Sequence, residues 1–209
     1  MTHARRSLAR AVRGVTAALM LCIAALSAVS CSAGSTDLPT PRPSPWAPKE
    51  GSVVFSMSSP AFEAGGMIPA QYANSGYPGG ENISIPYEWR GAPEGTVTYA
   101  LLLVDRHPKA NSWVHWLVTS LPPGNTVLTR GASGTDMPTG AREHVNSFGQ
   151  VGYGGPQPPP DTGKHEYEAV LYALDTDTGL PERLSLDQFT RAVDGHVLAT
   201  TTYSGLLGR

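Results

Sequence analysis

The chain has 209 residues, 40% hydrophobic and 15% charged, which excludes a charge-rich disordered protein and fits one globular domain. All seventeen acidic residues follow Cys31, together with eleven of the fifteen basic ones, so this part carries a net charge of about −6. Such an acidic body has no basic surface for nucleic acid, and no nucleic acid partner is expected.

The first 30 residues have the pattern of an export signal. Four arginines precede an uncharged stretch of 17 residues, from residue 14 to residue 30, that ends in small residues. A basic start, an apolar centre and a small-residue end are typical of a secretory signal peptide, whereas a membrane span is longer. We therefore predict that residues 1–30 are a signal peptide.

The residues next to Cys31 indicate lipidation. Ala28, Val29 and Ser30 precede this cysteine and resemble the lipobox of bacterial lipoproteins, with Ala28 where leucine is usual. We expect a diacylglyceryl group on Cys31 that anchors the protein to the outer side of the cell membrane. Two alternatives stay open, namely a secreted protein cut near Ala28 or Ala33, and an uncleaved anchor.

A proline-rich linker follows over residues 31–51. Five of the thirteen residues from 37 to 49 are proline, and such a segment forms an extended, semi-rigid spacer instead of a helix or a central strand. A spacer after a lipidated cysteine would hold a domain away from the bilayer. The folded domain is predicted to span residues 52–209.

The domain is predicted to be mainly β. Short runs rich in β-branched and aromatic residues alternate with Gly- and Pro-rich turns, which is typical of strands. The predicted strands cover residues 53–57, 83–89, 97–104, 113–120, 166–174 and 196–207. The nearly continuous apolar run in 97–104 favours a strand that is covered on both faces.

One helix is predicted near the C-terminus. Ser185 and Gln188 have the spacing of a capping box, and the apolar residues Leu186, Phe189 and Val193 repeat at helical intervals. The Asp-Gly pair at 194–195 then predicts the end of the helix.

Polar residues at strand ends are the candidates for a functional site. Asp105 ends an apolar run, His115 lies inside WVHWLV, and His165 and Tyr167 share one face of their strand. Between them lies the loop GYGGPQPPP, residues 152–160, whose glycines permit close backbone approach. Taken singly, each is more often explained as a packing histidine, a turn cap or a tight loop than as part of a site.

From about Val53 onward the chain resembles bacterial members of the phosphatidylethanolamine-binding protein (Raf kinase inhibitor-like) family. The resemblance rests on motifs in a fixed order, which are SPAFEAGGMIPAQY, GENIS, WRGAPEG, VHW, NSFGQVGYGGPQPPP, KHEYEAVLYALD and GHVLA. It implies a mainly β fold with a large central sheet, a smaller sheet and few short helices.

The resemblance also implies a pocket for a small anion, such as phosphate or a phospholipid headgroup. Imidazole N–H, phenol O–H and backbone N–H groups would donate to the anion, and Asp105 would orient an imidazole. The implied ligand-binding residues are Asp105, His107, His115, Gly155, Pro156, His165 and Tyr167.

Three features depart from the family pattern. His107 stands where a second acid is usual, which makes the site more cationic and leaves headgroup specificity open. Gln157 stands where a cysteine is common, and the loop 74–80 is expanded.

Two classes of function besides anion binding stay open. Some relatives of the family inhibit kinases or a serine carboxypeptidase, so the chain could regulate a partner protein such as a hydrolase. Less expected is a metal-dependent enzyme using Asp105, His115 and His165 as a two-histidine, one-carboxylate set. The sequence has no G-x-S-x-G, P-loop or H-E-x-x-H motif, and no catalytic residue, metal or cofactor is predicted.

Overall fold

The computed structural model of the protein describes residues 54–209. The predicted signal peptide, the lipidation of Cys31, the linker and the domain start at residue 52 therefore lie outside the described residues. Within the described part, no helix is long and apolar enough to cross a bilayer.

The described residues form two antiparallel sheets and one α-helix, so the mainly β prediction is confirmed. The small sheet has the order β1-β2-β5 and the large sheet the order β6-β4-β3-β7-β8. The strands are β1 Ser56–Ser58, β2 Tyr87–Arg90, β3 Thr98–Asp105, β4 Val114–Leu121, β5 Val127–Leu128, β6 Arg142–Glu143, β7 Lys164–Leu174 and β8 Val197–Gly208. Helix α1 spans Leu186–Val193, and 3-10 turns span Ala70–Tyr72 and Pro108–Ala110.

Strand β3 lies at the centre of the molecule, and all eight of its residues are buried. Because side chains alternate along a strand, it supplies two cores. Leu101 and Leu103 pack in the core that includes the small sheet, whereas Leu102 packs with Phe189 of helix α1. The prediction of a strand covered on both faces is correct.

Helix α1 begins as the sequence predicts. Ser185 Oγ accepts a hydrogen bond from the Gln188 N–H at 3.1 Å, and Gln188 Oε1 accepts from the Ser185 N–H at 2.7 Å. Phe189 is fully buried on the sheet side. Burial of a side chain of this size stabilises the fold by about 1.5–3 kcal/mol.

Two predicted strands are shorter in the structure. Strand β1 begins only at Ser56, and β2 begins at Tyr87, directly after Pro86. Proline has no N–H to donate to a ladder, which explains why residues 83–86 do not pair as a strand. Strands β5 and β6 have two residues each and give no sequence pattern.

The antiparallel order brings three strand ends together. Strand β3 finishes at Asp105, which lies opposite Tyr167 near the start of β7, and Val104 lies opposite Val114 at the start of β4. His115 and His165 are the second residues of β4 and β7. The polar residues singled out in the sequence therefore meet at one end of the large sheet.

Candidate ligand pocket

A cavity of about 310 Å³ opens at this end of the large sheet. Its size corresponds to the lower end of the range for small-molecule sites. Its lining residues are Asp105, Lys109, Ala110, Trp113, His115, Phe148, Gln157, Pro159 and His165. Three of the seven predicted ligand-binding residues thus line the cavity directly.

The carboxylate of Asp105 fixes the position of His165. Both residues are buried, and Asp105 Oδ2 accepts a hydrogen bond from His165 Nδ1–H at 2.7 Å. The other oxygen, Oδ1, accepts from the backbone N–H of His107 at 2.8 Å. Asp105 therefore orients an imidazole, and its negative charge is offset by two donors.

The second nitrogen of His165 is also occupied. Its Nε2 lies 2.8 Å from Thr162 Oγ1, and the Thr162 hydroxyl donates to the carbonyl of Pro159 at 2.7 Å. Asp105, His165 and Thr162 stand in the order of a catalytic triad. However, Thr162 does not line the cavity, and its hydroxyl also has the Pro159 carbonyl as an acceptor, so it is not presented to a ligand as a nucleophile.

His107 packs against His165 and does not line the cavity. The two rings are stacked, with centroids 3.8 Å apart and an interplanar angle of 11°. His107 Nδ1 accepts from the backbone N–H of Lys109 at 3.2 Å. His107 therefore supports the turn that carries Lys109 to the cavity wall.

His115 is held as a neutral acceptor. Its Nδ1–H donates to the carbonyl of Gly154 at 2.6 Å, and the Gly154 N–H donates back to the His115 carbonyl at 2.8 Å. The ring meets Phe148 and Tyr167 edge-on. Burial lowers the pKa of His115 to about 4, so at neutral pH its Nε2 carries a lone pair. This differs from the expectation that His115 donates to an anion.

The hydroxyl of Tyr167 lies near the Asp105 carboxylate without a hydrogen bond of ordinary length, and Tyr167 itself does not line the cavity. Only 1% of this side chain is exposed, and its hydroxyl has no hydrogen-bond partner among the described residues. Burial and the nearby Asp105 carboxylate raise the pKa of Tyr167, so the hydroxyl keeps its hydrogen. A buried polar group without a partner costs about 1–3 kcal/mol, which a bound acceptor would offset.

Gly155 and Pro156 do not line the cavity and are bonded to another loop. The Gly155 N–H donates to Asn82 Oδ1 at 2.7 Å, and the Pro156 carbonyl accepts from the Asn74 N–H at 3.0 Å. A Cβ at Gly155 would lie less than 3.0 Å from backbone atoms of Tyr72 and Asn74. The glycine is thus required by packing of the loop, and its N–H, which was expected to reach an anion, is already engaged.

The structure adds cavity residues that the sequence did not single out. Lys109 brings a cation to the wall, and Trp113 meets Phe148 edge-on with ring centroids 5.3 Å apart. Trp113 shares a strand face with His115, which was a usable signal. Phe148 lies in a loop, and no local pattern predicts that it reaches the same cavity.

The described residues do not form a metal-binding cluster. No group of three His, Cys, Asp or Glu side chains between residues 54 and 209 is placed to hold a metal ion. In the predicted set, His165 has both nitrogens engaged, and His115 has only Nε2 free.

The two antiparallel sheets and the small cavity at one end of the large sheet define the architecture of the domain. Residues 58–208 match the family model described as Phosphatidylethanolamine-binding protein. The chain belongs to this family.

Individual relatives agree with this assignment. A UPF0098 protein of Methanothermobacter thermautotrophicus is 35% identical over 156 residues, which cover 74% of this chain and 99% of that protein. The Mycobacterium tuberculosis protein named "Putative lipoprotein LppC" is 32% identical over 161 residues, 77% of this chain and 72% of that one. The crystal structure of Escherichia coli YbcL, described as a member of the mammalian PEBP family, superposes with a TM-score of 0.69 at 30% identity, covering 74% of this chain and 98% of YbcL.

Proposed function

We propose that this chain is an exported, lipid-anchored protein that binds a small anion of the phosphate or phospholipid-headgroup type. The observation that carries the proposal is the cavity at the end of the large sheet. Its wall contains a cation, Lys109, and two imidazoles held in place, those of His115 and His165, and the buried Tyr167 packs edge-on against His115.

The chemistry of the site favours binding over catalysis. An anion needs donors at fixed positions, and Lys109 and the indole N–H of Trp113, two residues of the cavity wall, can provide them. Catalysis would need an activated nucleophile or a free general base beside it. The hydroxyl next to His165 Nε2 is that of Thr162, and Thr162 does not line the cavity.

Titration of the purified full-length chain with inorganic phosphate tests the binding function. We expect the unfolding midpoint to rise, since a ligand that binds only the folded state stabilises it. Lys109→Ala should weaken phosphate binding about tenfold by calorimetry, because a charge-assisted hydrogen bond contributes about 1.5–3 kcal/mol.

The matched control is Lys164→Ala. Lys164 is an exposed lysine at the start of β7 and does not line the cavity, so its loss should leave the affinity unchanged. Zinc is titrated in parallel, because a metal-dependent function predicts stabilisation by zinc and none by phosphate. Equal phosphate affinity for wild type and Lys109→Ala, or no response to phosphate, would contradict the assigned site.

The export part of the proposal depends on the residues before the domain. The pattern around Cys31 and the proline-rich segment support it, and so does the lipoprotein name of the Mycobacterium tuberculosis relative. In the host, the wild-type chain should fractionate with membranes and gain the mass of a diacylglyceryl group, whereas Cys31→Ala should do neither. Cys22→Ala is the matched control, because that cysteine lies inside the predicted signal peptide.

A further inference from the structure

His115 Nε2 is an acceptor in the cavity wall, and what it requires of a ligand rests on the proposed anion-binding function. We infer that the pocket selects phosphate monoesters in their singly protonated form, because His115 Nε2 needs a donor and the ligand's P–OH supplies it. The shared chemistry is an oxyanion that keeps one hydrogen, whether it is free phosphate or the headgroup of a monoester lipid.

The tautomer of His115 is fixed by the backbone. The carbonyl of Gly154, 2.6 Å from Nδ1, can only accept, so Nδ1 carries the hydrogen. The Gly154 N–H also donates to the His115 carbonyl, and this backbone hydrogen bond holds the Gly154 carbonyl next to the ring. Nε2 is therefore the ring nitrogen available to a ligand, and in the neutral ring it accepts.

Lone pairs disfavour a fully deprotonated oxyanion at this position. Sulfate, or a phosphate dianion, would place only acceptor oxygens against the Nε2 lone pair. A phosphate monoanion can direct its P–OH at Nε2, while its other oxygens accept from Lys109 and Tyr167. A phosphate diester has no P–OH and lacks this option.

The bound proton stays on the ligand and not on the ring. At pH 7, protonating an imidazole whose pKa is about 4 costs a factor of about 10³ in population. Protonating a phosphate monoester, whose second pKa is about 6, costs a factor of only about ten. The titratable groups around His115 are Asp105 on β3, His165 and Tyr167 on β7 and Lys109 on the turn. These groups act on the His115 ring in opposite directions. The charge of Asp105 raises the pKa of His115, whereas that of His165 lowers it.

Calorimetry on the full-length chain with four probes tests this selection. At pH 5.5 we expect inorganic phosphate and methyl phosphate to bind, and sulfate and dimethyl phosphate to bind at least about tenfold more weakly. Methyl phosphate affinity should fall towards tenfold per pH unit above about pH 6, as the ligand loses its last proton. A soluble short-chain phosphatidic acid, compared with methyl phosphate, shows whether the lipid or the free ester binds better.

His115→Gln provides a readout that a purely structural role would not change. Its amide can donate to a deprotonated oxygen as well as accept, so the variant should gain sulfate binding and lose the pH dependence. If this variant does not fold, the wild-type comparison of phosphate with sulfate still decides the question.

The outcomes separate this inference from the function on which it rests. No binding of any probe at any pH would refute the proposed anion site. Equal and pH-independent binding of phosphate and sulfate would leave the anion site standing and overturn the donor requirement. Preference for dimethyl phosphate over methyl phosphate would also overturn it, in favour of a diester headgroup.

Discussion

Two buried histidines on neighbouring strands show how a packing residue differs from a site residue. His144, just after β6, donates from Nδ1 to the carbonyl of Pro181 at 2.9 Å, and its Nε2 lies 2.8 Å from Thr119 Oγ1. His115 has the same kind of bond from Nδ1, to Gly154, but within residues 54–209 no hydrogen bond is made to its Nε2. Burial lowers the pKa of both rings. The difference lies only in whether the second nitrogen is satisfied.

Two buried tyrosines repeat the contrast. The hydroxyl of Tyr153 donates to the carbonyl of Tyr72 at 2.7 Å, whereas the hydroxyl of Tyr167 has no partner among the described residues. Native proteins satisfy nearly all buried polar groups. His115 lies in the cavity wall, and the ring of Tyr167 packs edge-on against it. These two open groups support the proposed ligand site, whereas His144 and Tyr153 belong to the framework.

The loop that contains Gly155 should give the largest effect. In Gly155→Ala the new Cβ would lie within 3.0 Å of backbone at Tyr72 and Asn74, and backbone cannot move aside as a flexible side chain can. We expect a loss of about 4 kcal/mol or more in unfolding free energy, together with loss of phosphate binding. The control is Gly124→Ala, where a Cβ has nothing within 4 Å and stability should stay within about 0.5 kcal/mol.

The buried neutral ring of His115 should make stability depend on pH. Its pKa in the folded state, about 4, lies below the ordinary value of 6.5, so the unfolded chain binds more protons between these values. Stability is then fully present above about pH 6.5 and is lost as pH falls towards 4, by about 3 kcal/mol from this ring.

Denaturant unfolding of wild type and His115→Gln in phosphate-free buffer checks this dependence. The variant should lack up to about 1.4 kcal/mol per pH unit of the slope between pH 6.5 and 4. The pKa of His144 is also lowered. Its contribution to the pH dependence of stability is the same in wild type and variant, so it cancels in the comparison. Parallel pH profiles would mean that His115 is not buried as a neutral ring.

Thr119→Val converts the satisfied histidine into an unsatisfied one. It removes the hydroxyl that lies 2.8 Å from His144 Nε2 and keeps the side-chain shape. The unfolding free energy should fall by about 1–3 kcal/mol, the cost of leaving a buried acceptor without a partner. Phosphate affinity should stay the same, and a large drop in it would show that the two regions are coupled.

The sequence predicts best the elements that leave a regular local pattern, such as a strand buried on both faces or a capped helix. The run 97–104 is apolar throughout because both faces of β3 are covered, and the capping box of α1 depends on local backbone alone. Strands β5 and β6 escape prediction because two residues cannot show a period. Strand β2 is shorter than the predicted 83–89 because it begins only after Pro86. Proline has no N–H for the ladder, so the sequence itself contained this indication.

The site residues on strands could likewise be predicted from the sequence, whereas those on loops could not. Asp105, His115 and His165 were recognisable as polar residues at the ends of apolar strands. Phe148 and Pro159 reach the cavity from loops, whose path depends on contacts far apart in the sequence. The tautomer of His115 follows from the carbonyl of Gly154, so only the three-dimensional structure reveals that this ring accepts instead of donates.

The smallest effects, and the most informative signs, should come from removing the two tyrosine hydroxyls one at a time. Tyr153→Phe leaves the Tyr72 carbonyl without its donor and should lower the unfolding free energy by about 1 kcal/mol, with phosphate affinity unchanged. Tyr167→Phe removes a hydroxyl that has no partner, so stability without ligand should stay level or rise by up to about 1 kcal/mol. Phosphate affinity should meanwhile fall about tenfold by calorimetry, because the bound anion loses a buried donor. If Tyr167→Phe instead behaved like Tyr153→Phe, the hydroxyl would be part of the framework and would not serve the ligand.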